Sequence, residues 1–315
     1  MPNQRHVSQS FQEEKKMRSK LVSLLLLIVL FTSACAPQTT PAPTTAPTTA
    51  PAPSAVATVV PATEVPATTA PEAKTLTVLA AASLTESFTE MGKLFETQNP
   101  GVTVSFNFAG SQQLAQQLDQ GAPADVFASA SKKYMDAAVT SKRVNKDEAK
   151  TFVTNRLVVI FPKDNPAKLT TLQDLAKPGL KLDLEDKSVP AGQYSLDFLD
   201  KAVKDSAFDP RFKDSVIKNV VSYETDVKAV VSKVALGEAD AGIVYITDFN
   251  AAADKLGKLN IPDALNTIAT YPIAAVSDSK HAGLASAFVA LVLSPDGQAV
   301  MAKYGFIPAA SSSTN

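Results

Sequence analysis

Four short stretches place a hydroxyl or a bare backbone N–H where a helix is expected to begin: AAASLTE at Ser83, AGSQQL at Ser111, VPAGQY at Ala191 and ETDVKAV at Val227. The first N–H groups of a helix have no intrahelical partners and sit at the positive end of its dipole, so such a start can hold a small anion without a cation. The stretch LTVLAAASLTESF, Leu76 to Phe88, adds a run of small residues at the end of a buried strand. Small residues there leave room for a ligand, and they equally suit tight helix packing. Serine is also a favoured N-cap in any protein. Tyr245 in AGIVYITD reads, taken alone, as a core aromatic at a strand end. Singly, none of these residues separates a binding site from ordinary helix chemistry.

The elements that would position them alternate. Leu76 to Leu79 reads as a strand, after which Leu84, Phe88, Met91 and Phe95 fall on one helical face. Ser83 with Glu86 three positions later has the form of a capping box. Val102 to Phe108 is the next strand, and GSQQLAQQL a helix opening at Ser111. ADVFAS, LVVIF, LKLDL, VIKNVVSY, AGIVY and IATYPIAAV are further strands, with helices expected at 193–204, 227–236, 282–293 and 295–303. This order predicts an α/β protein with parallel sheets, in which ligands bind beyond the carboxyl ends of the strands, where helices begin.

The 315 residues suffice for a full core, but the first 73 read differently. Lys15, Lys16, Arg18 and Lys20 precede an apolar run from Leu21 to Phe31, too short for a stable bilayer span and followed by TSAC. The lone cysteine, Cys35, after Ser33-Ala34 resembles a lipoprotein lipobox, with Thr32 departing from the usual leucine. Residues 1–34 are therefore expected to be a lipoprotein signal peptide, started at Met1 or at Met17, and Cys35 the acylated N-terminus of the mature chain. An uncleaved anchor or an ordinary secretory signal is the alternative. Residues 36–73 hold nine of the 21 prolines among Thr and Ala, a composition that favours an extended tether over a core. At roughly 3.1 Å per residue it would reach on the order of 100 Å from a membrane.

Without residues 1–34, 25 basic side chains face 29 acidic ones, a net charge of −4. That offers no basic field for nucleic acid. One histidine, His281, remains in the mature chain, and its single thiol is expected to be acylated, which leaves no Cys/His nucleophile pair or zinc set. GxSxG, GxxxxGK[ST] and HExxH are not found in the sequence, so an enzyme is not expected.

In order and approximate spacing, AAASLTESF, PADVFASASKKYMD, VPAGQY, TDVKAVVSKVALGEADAGIVYITD and SPDGQAVMAKYGF resemble the periplasmic molybdate-binding proteins of ABC importers. The resemblance spans about Lys74 to Ile307 and rests mainly on VPAGQY and GEADAGIVY, since the closing motif is common among solute-binding proteins. It implies a type II periplasmic-binding-protein fold: two lobes of mixed sheets flanked by helices, with ligand in the inter-lobe cleft. One lobe would comprise 74–155 with 271–315 and the other 156–270, NRLVVIF and TYPIAAV being the crossing strands.

The resemblance also implies oxyanion contacts from Ser83 and Ser111 through hydroxyl and backbone, from Ala191 and Val227 through backbone N–H, and from the Tyr245 phenol. The implied function is extracytoplasmic capture of molybdate, with tungstate as a second ligand, by a membrane-anchored monomer that delivers it to permease subunits without cofactor, catalysis or direct metal-ion ligands. Two departures bear on which oxyanion fits. Gln112 and Gln113 replace small hydroxyl residues, and Glu185-Asp186 stands where the family tends to have a Gly-Asp-Pro turn. Another oxyanion, such as sulfate or phosphate, and an anchored interaction protein with no small ligand are the competing readings.

Overall fold

Strand β1 (Lys74–Ala81) buries every residue from Val78 onward because parallel partners flank it on both sides, β2 (Val102–Ala109) and β3 (Val126–Ala128). The computed structural model describes residues 74–309; the expected signal segment, Cys35 and tether lie outside the described residues. Strand β2 forms one edge of its sheet, and its alternating burial reflects that. Beyond β3 come β10 (Ala269–Ala275), β4 (Lys150–Asn155) and β11 (Ile307–Pro308), in the order β11-β4-β10-β3-β1-β2.

A second sheet has the order β7-β6-β8-β5-β9. Its members are β5 (Leu157–Pro162), β6 (Leu182–Glu185), β7 (Val220–Glu224), β8 (Ala241–Tyr245) and β9 (Leu256–Asn260). Strand β5, paired on both sides by β8 and β9, is buried along its whole length, as an unbroken LVVIF run requires. Each sheet supports one lobe of a two-lobed α/β fold.

Both sheets are mixed, as the family resemblance implies, which corrects the parallel sheets expected from the order of elements alone. Strands β1, β2 and β3 are parallel, as are β6, β7 and β8, because a helix returns the chain between successive strands. The chain passes from β4 through Arg156 straight into β5 of the other sheet and comes back from β9 to β10. Strands entered without a helical return run against their neighbours: β5 is antiparallel to β8 and β9, and β10 to β3 and β4.

The helices are α1 (Thr85–Gln98), α2 (Ser111–Asp119), α3 (Lys132–Thr140), α4 (Pro190–Ala202), α5 (Phe212–Lys218), α6 (Val227–Ala235), α7 (Ile246–Ala251), α8 (Ala282–Leu293) and α9 (Pro295–Lys303). Leu84, Phe88, Met91 and Phe95 are buried as one stripe, and Phe88 and Phe95 pack edge-on against Phe288 of α8 at 5.9 and 5.4 Å. Burying each such side chain contributes about 1.5–3 kcal/mol.

Helix α4 starts at Pro190, ahead of the expected 193, because a proline at the first helical position loses no hydrogen bond. The segment VIKNVVSY divides, its first three residues closing α5 and only the part from Val220 forming β7. The capping box at Ser83 does not form. Ala82–Leu84 is a separate 3-10 turn, α1 begins at Thr85 without a side-chain cap, and both Ser83 and Glu86 are engaged elsewhere. Among the described residues no single helix is long and apolar enough to cross a membrane.

Candidate functional site

Four strands end where the two lobes face each other: β1 runs into the turn at Ser83, β2 into α2, β6 into α4 and β7 into α6. Between them lies a cavity of about 10 Å³, room for one water-sized body or the centre of a small ion. The first lobe contributes Ala81, Ala82, Ser83, Ala109, Gly110, Ser111 and Ala130; the second contributes Glu185, Val189, Pro190, Asp226, Val227 and Tyr245. None of these lining residues carries a positive charge. The run of small residues after β1 thus forms the first-lobe wall, where larger side chains would fill the space.

Ser83, Ser111, Val227 and Tyr245 meet in this cavity, and each has a donor left to give. Ser111 is the first residue of α2, and its Oγ accepts the Ala130 N–H at 2.9 Å, so its own proton remains free. Ser83 Oγ lies 2.9 Å from the hydroxyl of Tyr271. That hydroxyl also accepts from Asn155 Nδ2 at 3.4 Å; when its own proton goes to Ser83 Oγ, the Ser83 proton is available to the cavity. Asn155 Nδ2 also donates to Thr247 Oγ1 at 2.9 Å, so the last residue of β4 and the returning strand β10 together orient Ser83. Tyr271 and Asn155 are fully buried and carried no signal in the sequence beyond their place on the crossing strands.

At α6, Asp226 is the N-cap, and its Oδ1 accepts the N–H groups of Lys228 (2.9 Å) and Ala229 (3.1 Å). The cap therefore consumes the second and third helical donors and not that of Val227, the first. Tyr245 is 1% exposed, and among the described residues its hydroxyl has no hydrogen-bond partner. Burial, then the neighbouring Tyr271, pushes its pKa well above the usual phenol value, so it stays a neutral donor. Ala191 is one position past the lining Pro190 and fully buried. Its N–H and that of Gly192, the latter at 3.1 Å, point to the carboxylate of Glu185.

Glu185 is the wall residue that sequence reasoning registered only as a departure from a pattern. Burial, then the charge of Asp248, raises its pKa well above the carboxylate range, the helix N–H groups opposing this only in part.

The lobes are closed on the cavity by contacts across the cleft. Gln112 Nε2 donates to the Thr225 carbonyl at 3.0 Å, and the Tyr134 hydroxyl donates to the Ser188 carbonyl. Lys228 of the second lobe reaches Glu86 of α1 at 2.8 Å. It also lies 3.1 Å from Asp248 Oδ1, near enough for an ion pair, although neither Asp248 oxygen is aligned for a hydrogen bond. Burial works against the Lys228 charge, but Asp248 and Glu86 outweigh it and raise its pKa. Glutamate 86 thus spans the cleft instead of capping α1.

Comparison with known proteins agrees with this architecture. Residues 76–307 match the family described as bacterial extracellular solute-binding protein. The molybdate-binding protein ModA of Mycobacterium tuberculosis is 37% identical over 234 residues, 74% of this chain and 85% of that protein. ModA of Escherichia coli K12 is 32% identical over 237 residues, 73% of this chain and 88% of its own length. The structure of the periplasmic molybdate-binding protein of Azotobacter vinelandii superposes with a TM-score of 0.65 over 74% of this chain and 99% of that one. At 19% identity that likeness concerns the fold alone. A closed two-lobed fold, a cleft at the strand ends and a family match over nearly all the described residues lead to one conclusion: the chain belongs to the bacterial extracellular solute-binding proteins, as a homologue of the molybdate-binding ModA proteins.

Proposed function

We propose that this protein captures molybdate, with tungstate as a second ligand, outside the cytoplasmic membrane and delivers it to the permease of an ABC importer. The observation that carries this reading is the buried Tyr245 hydroxyl without an acceptor, facing a small cavity that holds other free donors and no cation. A buried donor left unmet costs about 1–3 kcal/mol, and a compact oxyanion supplies acceptors in every direction. Ser83, Ser111, Val227 and Tyr245 would donate directly, and Ala191, whose N–H points to Glu185, would hold that side chain at the start of α4. The lobes are taken as 74–155 with 271–315 and 156–270, so that these donors come from both and ligand favours the closed state. An amino acid would need more space and an Arg for its carboxylate, and the cavity wall has none.

Thermal unfolding against molybdate, tungstate, sulfate and phosphate tests the substrate. Molybdate at about 100 times its dissociation constant should add about 2.7 kcal/mol of stability. A shift with sulfate or phosphate and none with molybdate would reassign the ligand.

We further propose that the protein is held at the membrane through a lipid on Cys35 and works as a monomer on the tether of residues 36–73. The support is the charged, apolar and small-residue order before that lone thiol. Cys35→Ala should move the protein from the membrane fraction to the soluble one with its oxyanion affinity unchanged. Retention in the membrane would make the apolar run itself the anchor.

A further inference from the structure

Glu185 lines a cavity whose other lining residues offer donors that suit an anion. It is 4% exposed, and its contacts are the N–H groups at the start of α4. A dianion and an ionised carboxylate cannot share so small a space cheaply, because like charges in a desolvated site disfavour each other's ionised form. We infer that Glu185 holds a proton between its carboxyl group and an oxygen of the bound oxyanion, so that capturing a fully deprotonated oxyanion draws a proton from solvent. This rests on the oxyanion reading above and makes Glu185 a specificity-determining residue of that site. A ligand that carries its own proton, as hydrogen phosphate does, would meet the same carboxyl group without that uptake.

The surroundings of Glu185 favour the protonated form from several sides. On its own strand Asp183 is buried two residues away, and Asp186 is committed to Ser188. On β7 the register neighbour Glu224 pairs with Lys233 and Ser222. From α6 comes the capping Asp226, from α7 the buried Asp248, and from β8 the neutral Tyr245. Of the two lysines of α6, Lys228 is taken by Glu86 and Asp248 and Lys233 by Glu224. Only the N–H groups of Ala191 and Gly192 oppose protonation, and burial outweighs them.

The sign of the linkage follows. Opening the cleft admits water to Glu185 and relieves part of the burial that raises its pKa in the closed arrangement. Below the open-cleft pKa the residue is already protonated and affinity is level. Between the open and closed values each complex formed takes up a proton, so affinity falls as pH rises.

Calorimetric titration of the ligand-free protein with molybdate, in buffers of different ionisation enthalpy between about pH 6 and 8.5, counts those protons. The expected result is uptake approaching one proton per oxyanion, with the dissociation constant rising up to about tenfold per pH unit. Glu185→Gln keeps the side-chain length, replaces the carboxyl proton with a permanent amide donor, and should give a flat pH profile with no uptake. Tight binding by the wild type without proton uptake would overturn the inference and leave the oxyanion reading intact. Equal uptake by Glu185→Gln would also overturn it, placing the proton on another group such as Asp248. No binding of any oxyanion by the wild type would remove both. Should Glu185→Gln fail to fold, as read by its melt, Asp248→Asn takes its place: uptake that persists in that variant supports Glu185, and uptake that vanishes overturns the inference.

Discussion

Ser111→Asp should abolish oxyanion binding while the protein remains folded. The serine Oγ already accepts the Ala130 N–H at 2.9 Å, and an aspartate oxygen at the same position can accept it too, so the local fold keeps its bond. What changes is the cavity: a donor becomes a fixed negative charge beside a space of about 10 Å³ that Glu185 also lines. Ser111→Ala removes the donor, and with it the acceptor for the Ala130 N–H, without adding charge, and should weaken binding by about 1–3 kcal/mol, or about 5- to 150-fold. Titration calorimetry with molybdate, beside melts without ligand, separates the two. If both variants bound within about tenfold of the wild type, Ser111 would be only a partner for Ala130 and the site assignment would be wrong.

Gly110→Ala should block closure without disturbing either lobe. Gly110 precedes α2 with φ −60° and ψ 138°, a conformation that alanine adopts freely. The obstacle lies across the cleft: an added Cβ would stand 2.4 Å from the Thr225 carbonyl oxygen and 2.5 Å from the Gln112 side chain. The glutamine can swing away, but the carbonyl belongs to the backbone just before α6 and cannot. Overlap of that size falls on the closed state alone, so ligand-free stability should stay near wild type while affinity drops by at least about tenfold, or 1.4 kcal/mol. Small-angle scattering should show the contraction expected on adding molybdate in the wild type and not in the variant. Full contraction with normal affinity would mean that the lobes close differently from the arrangement described here.

The regular parts of the architecture were open to reading because they are local. Apolar periodicity marked the α1 stripe and the buried β5 run, and both formed. Val227 was identifiable as a helix start because short-range helix-start chemistry repeats from protein to protein, and Asp226 caps it in the structure. The short helix α3 and strands β4 and β9 were not anticipated. Helix α3 is nine residues long and buries only Met135 and Ala138, too few to set a helical period, and β4 opens with exposed residues before its buried ones. Strand β9 is half-buried beside β5, and its pattern is too weak to announce it.

At the candidate site the division is sharper. The sequence alone determined which residues could donate to an anion, since helix starts, small residues and the VPAGQY and GEADAGIVY motifs are contiguous, and it excluded a cationic field by composition. Tertiary structure alone decided what each group does. Ser83 looked like the cap of α1 and is instead oriented by Tyr271, 188 residues away. Glu86 looked like the other half of that cap and binds Lys228 across the cleft. Glu185 looked like a turn residue and became a buried acid facing the cavity. The reason is physical: a hydroxyl or carboxyl group has several local partners of similar energy, and the choice among them is made by which other segments bury it, a matter of packing between lobes that no local pattern encodes.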